Sequence, residues 1–126
     1  MEMQKTVLLV EDDKSFRESV RKILEKEGMR VLESSSGEEG IEMLKSDRVI
    51  DLVLLDLYLG GISGMEFLDK TRELERPPVI MVTAFGDWGI YVDAVGKGAL
   101  DCIPKPVKKH DLVEMIQKAF EEEKCA

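Results

Sequence analysis

Short apolar runs alternate along this chain with longer segments in which apolar residues recur at helical spacing. The runs have strand length, and several are continuous rather than alternating, which is typical of strands buried on both faces of a parallel sheet. They predict five strands, at Thr6–Val10, Arg30–Glu33, Leu52–Leu55, Val79–Val82 and Leu100–Ile103.

The segments between and after these runs predict five helices. In the first, Phe16, Val20, Ile23 and Leu24 recur at positions i, i+4, i+7 and i+8, and Gly28 follows where a helix would end. The second is predicted to begin at a capping box of the form Ser-x-x-Glu, and the fourth is the weakest because two glycines lower its helix propensity. The features that predict the second to fifth helices are, in order, the capping box Ser36–Glu39, the positions Met65, Phe67, Leu68 and Leu74 after Gly64, the segment Asp87–Lys97, and the apolar face Leu112, Ile116, Ala119 and Phe120.

Strict alternation of strand and helix predicts an α/β fold in which a doubly wound parallel sheet is covered by helices on both faces. A chain of 126 residues is expected to form one domain, 1–126, with its core between Thr6 and Phe120 and a short tail at 121–126. In such sheets the ligand site lies beyond the carboxyl ends of the strands, so polar residues at those ends are the first candidates for function.

Polar residues follow four of the five predicted strands. Glu11 and Asp12 follow the first, Asp56 the third, Thr83 the fourth and Lys105 the fifth. Carboxylates brought together repel one another by about 4 kcal/mol per pair at 4 Å and an effective dielectric near 20, so a cation should lie between them. Because the ligands would be oxygen atoms, the expected cation is Mg²⁺.

In this order and spacing, these residues and their neighbours resemble the receiver domain of response regulators in two-component signalling, over essentially the whole chain. The matching segments are Leu8–Asp13, Asp51–Asp56 with Gly61 and Gly64, Val82–Ala84, and Lys105-Pro106. The resemblance implies a flavodoxin-like (βα)5 fold with strand order 2-1-3-4-5.

The resemblance also implies a role for each strand-end residue. Asp56 is expected to be the phosphoacceptor. Glu11, Asp12 and Asp56 are expected to hold Mg²⁺ together with the backbone carbonyl of Tyr58.

Two further residues are expected to contact the phosphoryl group. Thr83 would be the switch hydroxyl that turns toward it, and Lys105 the cation that contacts one of its oxygens. The Lys105-Pro106 bond is expected to be cis, as is typical of the family.

The implied function is a phosphorylation-activated switch that takes its phosphoryl group from a sensor histidine kinase and passes the signal to an output domain or protein. The domain could also form a homodimer when phosphorylated. It would catalyse its own phosphorylation and dephosphorylation without being a turnover enzyme.

This chain departs from the family pattern at three places. Gly60-Gly61 stands where a proline usually follows the phosphoacceptor, which predicts a more flexible loop. Cys102 replaces a residue that is usually aromatic and that couples to the switch threonine. The acidic pair begins with Glu11 rather than aspartate.

Two alternative functions stay open at this point. The domain could be an interaction module that works without phosphorylation, which Cys102 and the Gly60-Gly61 loop would favour. A Mg²⁺-dependent phosphatase with a nucleophilic aspartate ranks last, because Tyr58 stands where its second acid would be. Individual residues also have structural readings: Asp13 is expected to cap a helix, His110 to be solvated, and Trp88 to face either the core or a partner.

Composition narrows the classes of function. Acidic residues outnumber basic ones, 26 to 18, so direct nucleic-acid binding by this domain is not expected. No apolar stretch approaches the roughly 20 residues that span a bilayer, and the first residues lack a signal-peptide pattern, so we expect a cytoplasmic protein without membrane contact. Two cysteines and one histidine give no support for a disulfide scaffold or a zinc site.

Overall fold

A computed structural model describes residues 4–46, 48–83 and 88–125, with side chains as far as Glu121. Strands and helices alternate through this part of the chain. The strands are β1 (Thr6–Val10), β2 (Arg30–Ser34), β3 (Leu52–Asp56), β4 (Val79–Thr83) and β5 (Asp101–Pro104). The helices are α1 (Lys14–Lys26), α2 (Gly37–Lys45), α3 (Gly64–Lys70), α4 (Trp88–Gly96) and α5 (Lys109–Cys125).

The strands form one parallel sheet in the order β2-β1-β3-β4-β5. This confirms the predicted doubly wound α/β fold and its strand order. The three central strands, β1, β3 and β4, are buried at every residue, because helices cover both faces of the sheet. The edge strands β2 and β5 are only partly buried.

Two apolar clusters lie on opposite faces of the sheet, since neighbouring residues of a strand point to opposite sides. In β1, Val7 and Leu9 belong to the cluster formed with α1 and α5, while Leu8 and Val10 belong to the cluster formed with α2, α3 and α4. This sandwich fixes the carboxyl ends of the central strands at one rim, where the loops with polar residues begin.

Three helices begin at side-chain caps. Asp13, Ser36 and Ser63 each accept a hydrogen bond from the backbone N–H three residues later, at 3.1, 3.1 and 3.2 Å. The cap at Asp13 is as predicted, and the helix predicted after Ser36 begins at a Ser36 cap, although only the Ser36 half of the predicted capping box is formed. Ser63 forms a full capping box with Glu66, since the Ser63 backbone N–H also donates to the Glu66 carboxylate at 3.3 Å. This capping box was not predicted.

Some predicted boundaries differ from the structure. The third helix ends at Lys70, so Leu74 lies in the following turns, where its N–H donates to the carbonyl of Thr71 at 3.0 Å. Strand β5 begins one residue later than predicted, and α5 continues through Cys125, into the segment predicted as a tail. Asp87, predicted as the start of the fourth helix, lies outside the described residues.

Arg76 connects the end of α3 to the turn between α4 and β5. Its guanidinium donates to the carbonyl of Leu68 at 2.8 Å, to the Thr71 hydroxyl at 2.7 Å, and to the carbonyl of Lys97 at 3.1 Å. A β-carbon at Gly98 would lie 2.5 Å from this guanidinium, so the turn packs closely against it. The C-terminal end of α4 is thereby tied to α3.

Candidate functional site

Three carboxylates converge at the rim where β1 and β3 end. One oxygen atom from each of Glu11, Asp12 and Asp56 lies within 4.8 Å of the others. The register of β1 and β3 explains this, because Val10 pairs with Leu55 and an acidic residue directly follows each of them. Glu11 and Asp56 are buried, whereas Asp12 is exposed. The pocket is therefore anionic inside and open to solvent on one side.

Lys105 enters this pocket from the loop after β5. Its ammonium lies 3.2 Å from Asp56 Oδ2 and 3.5 Å from Glu11 Oε2, and its side chain is 35% exposed. The Lys105 backbone N–H donates to the carbonyl of Thr83 at 2.8 Å, which holds the loop against the end of β4. The Lys105-Pro106 peptide is cis, as predicted.

Burial and close packing change the acid–base properties of these groups. Burial, together with the neighbouring Asp56, raises the pKa of Glu11 to about 7 from an ordinary value of 4.5. Burial alone would lower the pKa of Lys105, but the Asp56 and Glu11 carboxylates outweigh it and raise that pKa above its ordinary value. Lys105 is therefore charged, whereas Glu11 loses its proton only near neutral pH.

The donor set fits a hard divalent cation. Glu11 Oε1 accepts a hydrogen bond from the Asp13 N–H at 3.1 Å, but the buried Oε2 has no hydrogen-bond partner among the described residues. A buried carboxylate oxygen without a hydrogen bond costs free energy that a metal ligand bond would recover. All three groups supply oxygen, the ligand that Mg²⁺ prefers.

The loop between β3 and α3 is held at several points. The Gly60 N–H donates to Asp12 Oδ2 at 3.2 Å, and the Tyr58 N–H lies 3.4 Å from Asp56 Oδ1. Gly61 has a φ of +82°, a conformation that favours glycine. Gly60 is therefore hydrogen-bonded to the acidic pocket, and the flexibility of the Gly60-Gly61 loop stays a prediction. The Tyr58 side chain is exposed.

Gly64 allows the start of α3 to lie directly against the phosphoacceptor candidate. A β-carbon at Gly64 would lie 2.6 Å from the carbonyl oxygen of Asp56 and 2.9 Å from Leu57 Cα. Both contacts are with backbone, which cannot swing away as a side-chain tip can. Only glycine fits here without moving the strand end that carries Asp56.

Thr83 is buried at the end of β4, on the same rim as Asp56. Asp56 pairs with Val82 in the sheet, so Thr83 lies one residue beyond it. The segment that follows, residues 84–87, lies outside the described residues. Cys102 in β5 is partly buried against the apolar cluster of α2, α3 and α4, and burial raises the pKa of its thiol to about 11.

Two residues that the sequence left open lie away from the pocket. His110 is 87% exposed and lies 3.2 Å from Glu114 on α5, which confirms that it is solvated. Trp88 is 74% exposed and stacks on Tyr91 with ring centroids 5.0 Å apart. Core packing of Trp88 is therefore wrong, and a contact with a partner stays a prediction.

One residue of the pocket escapes prediction from the sequence. Helical spacing assigns Phe16 to the apolar face of α1, and the structure confirms that it packs against the core. The same ring also lies beneath the Lys105 ammonium, 4.4 Å from ring centroid to Nζ. No sequence signal pairs residues this far apart, because the contact depends on how α1 docks on the sheet.

The chain is similar in sequence to a known protein family and to curated members of it. Residues 7–117 match the family model of the response regulator receiver domain. The chain is 34% identical over 113 residues to the transcriptional regulatory protein YvrH of Bacillus subtilis, with 89% of this chain and 47% of YvrH covered. It is 36% identical over 111 residues to the transcriptional regulatory protein CpxR of Escherichia coli K12, with 88% of this chain and 47% of CpxR covered.

A solved structure shares the fold over nearly its full length. The CheY-like response regulator receiver domain protein from Methanospirillum hungatei superposes with a TM-score of 0.88 at 33% identity, covering 98% of this chain and 100% of that one. The chain spans about half the length of the curated relatives it matches. None of its helices, within the described ranges, is long and apolar enough to cross a membrane.

Proposed function

Because this chain belongs to the response regulator receiver family of two-component signalling, we propose that it is a switch activated by phosphorylation of Asp56 in a Mg²⁺-dependent reaction. The observation that carries the proposal is the convergence of three carboxylates within 4.8 Å, with the Lys105 ammonium 3.2 Å from Asp56. A structural role alone does not require so many charged groups at a buried strand end.

Glu11, Asp12 and Asp56 would hold Mg²⁺, together with the backbone carbonyl of Tyr58. The ion, when bound, would neutralise charge on the phosphoryl oxygens. The buried Oε2 of Glu11, which has no hydrogen bond among the described residues, supports this ligand set.

Asp56 would act as the nucleophile in an in-line displacement at phosphorus. A carboxylate oxygen of Asp56 forms the new bond to phosphorus as the bond to the donor nitrogen of a phosphohistidine breaks, and that nitrogen leaves with the bonding electrons. Lys105 would pair with one phosphoryl oxygen, and the Thr83 hydroxyl would donate a hydrogen bond to another. The protein mainly positions these groups and balances their charge.

The donor would be a sensor histidine kinase, and the receiver of the signal an output domain or protein. The chain spans only about half of YvrH and CpxR, which are transcriptional regulatory proteins. This partial coverage supports an output domain of the kind that transcriptional regulators carry. The phosphorylated form could pair with a second copy. The domain would not bind nucleic acid itself and would not turn over a separate substrate.

The proposal is tested by incubating the protein with acetyl phosphate and Mg²⁺ and measuring its intact mass. One phosphoryl adduct is expected on the wild type, and none on Asp56→Asn or without Mg²⁺. Asp93→Asn, at an exposed position of α4, is the matched control and should be phosphorylated normally. A wild type that gains no phosphoryl group, or an adduct that survives Asp56→Asn, would contradict the proposal.

The same experiment separates the alternative of a module that works without phosphorylation. Such a module would show neither an adduct nor Mg²⁺ binding near neutral pH. The exposed Trp88 ring, which stacks on Tyr91, is compatible with a partner contact in both cases.

A further inference from the structure

We propose that Phe16 is a positioning residue for Lys105: its ring holds the lysine ammonium in place between the Asp56 and Glu11 carboxylates. The consequence for phosphorylation rests on the function proposed above, but the geometry does not. The ring centroid lies 4.4 Å from Nζ, well within the distance at which an aromatic face attracts a cation.

Lys105 needs such a contact because its other restraints are few. It is a long, flexible side chain that loses rotamer freedom when it is held in one place, and about a third of it is exposed to water. Its ammonium contacts two carboxylates at 3.2 and 3.5 Å, and only the Asp56 contact has hydrogen-bond geometry. A flat ring beneath the ammonium limits the directions in which it can move.

The position of Phe16 is itself fixed by the acidic segment. Its backbone N–H donates to Asp13 Oδ1 at 3.1 Å, and the Asp13 N–H donates to Glu11 Oε1 at 3.1 Å. The contacts therefore close a ring that runs from Glu11 through Asp13 and Phe16 to Lys105 and back to Glu11. The helix cap, the candidate metal ligand and the candidate phosphate contact are held as one unit.

Packing against the core is a sufficient reason for an apolar residue at position 16, but not for an aromatic one. Phe16→Leu keeps an apolar side chain and removes the ring face, whereas Phe16→Tyr and Phe16→Trp keep the face. The chain offers a matched control in Phe120, whose ring packs against the same core cluster and lies 5.3 Å from the ammonium of Lys5. Phe120→Leu makes a similar change to the core far from the pocket.

The first measurement is the lifetime of the Lys105 ammonium protons against exchange with water, read from the Nζ signal by NMR without any phosphodonor. We expect Phe16→Leu to shorten this lifetime about 3- to 10-fold, while the tyrosine and tryptophan variants and Phe120→Leu stay within about twofold of the wild type. The second measurement is the rate constant for phosphorylation by acetyl phosphate with Mg²⁺, for which the same ranking is expected.

The outcomes separate the two proposals. If Phe16→Leu keeps the wild-type lifetime, or if Phe120→Leu shortens it equally, the positioning role is refuted. If the lifetimes rank as expected but neither the wild type nor any variant is phosphorylated, the positioning role stands and the proposed function fails. Phe16→Met replaces the leucine variant should that protein be unfolded, as judged by its thermal transition.

Discussion

Glu11→Gln is expected to stabilise the metal-free protein at neutral and alkaline pH, although it alters a residue of the candidate site. The wild-type Glu11 residue is 1% exposed, and in the folded state the pKa of its carboxyl is about 7. In the unfolded chain the same group ionises near 4.5. Glutamine is a neutral residue of similar shape that never has to ionise in the pocket.

The size of the effect follows from the pKa shift. The folded protein binds this proton more tightly than the unfolded chain does. The contribution of this group to the free energy of unfolding is therefore fully present below pH 4.5 and is lost as the pH rises to about 7. At 1.36 kcal/mol per pKa unit, the shift corresponds to at most about 3 kcal/mol. We therefore expect Glu11→Gln to change the free energy of unfolding little at pH 4.5 and to raise it by about 1–3 kcal/mol at pH 8.

Urea unfolding of both proteins with a metal chelator, at several pH values from 4.5 to 8, measures this difference. Glu42→Gln, at an exposed position of α2, is the matched control and should show no such pH-dependent gain. Adding Mg²⁺ at ten times its dissociation constant should stabilise the wild type by about 1.4 kcal/mol and the variant by less. A difference that is constant with pH, or that grows toward acid, would refute the assignment of the raised pKa to Glu11.

Two predictions concern the scaffold around the site. Gly64→Ala places a β-carbon 2.6 Å from the Asp56 carbonyl oxygen and should lower the free energy of unfolding, measured with urea, by about 1–3 kcal/mol. A β-carbon at Gly96 meets nothing within 4 Å, so the control Gly96→Ala should raise this free energy by about 0.5–1 kcal/mol. Equal effects of the two would contradict the close-approach argument. Arg76→Met removes its three hydrogen bonds and should cost about 2–3 kcal/mol, measured against the more exposed Arg72→Met, which should cost less than about 0.5 kcal/mol.

The sequence predicted best what depends on periodicity. Continuous apolar runs identified β1, β3 and β4, and the residues directly after the strands were brought to one rim because parallel strands share their direction. The convergence of Glu11, Asp12 and Asp56 follows from this register alone. The Ser63 cap was not predicted, although Ser63 and Glu66 have the same spacing as the capping box predicted at Ser36.

What the sequence could not predict depends on how elements dock. The contact of Phe16 with Lys105 joins α1 to the loop after β5, and the contact of Arg76 with Lys97 joins the turn after α3 to the end of α4. Neither follows from a local pattern. The hydrogen bond from the Gly60 N–H to Asp12 is a similar case, because it joins two loops that are far apart in the sequence.

A charge count explains why the pocket would respond to both a cation and a phosphoryl group. With all groups ionised, Glu11, Asp12 and Asp56 carry three negative charges against the one positive charge of Lys105, which leaves an excess of two that a divalent ion would cancel. Phosphorylation would replace one carboxylate charge on Asp56 by about −1.5 to −2, so the balanced pocket would regain up to one negative charge. Lys105 already contacts two carboxylates, so we expect a further hydrogen-bond donor to turn toward the added phosphoryl group. Thr83 lies one residue beyond the sheet partner of Asp56, and its hydroxyl is the donor that we propose for this role.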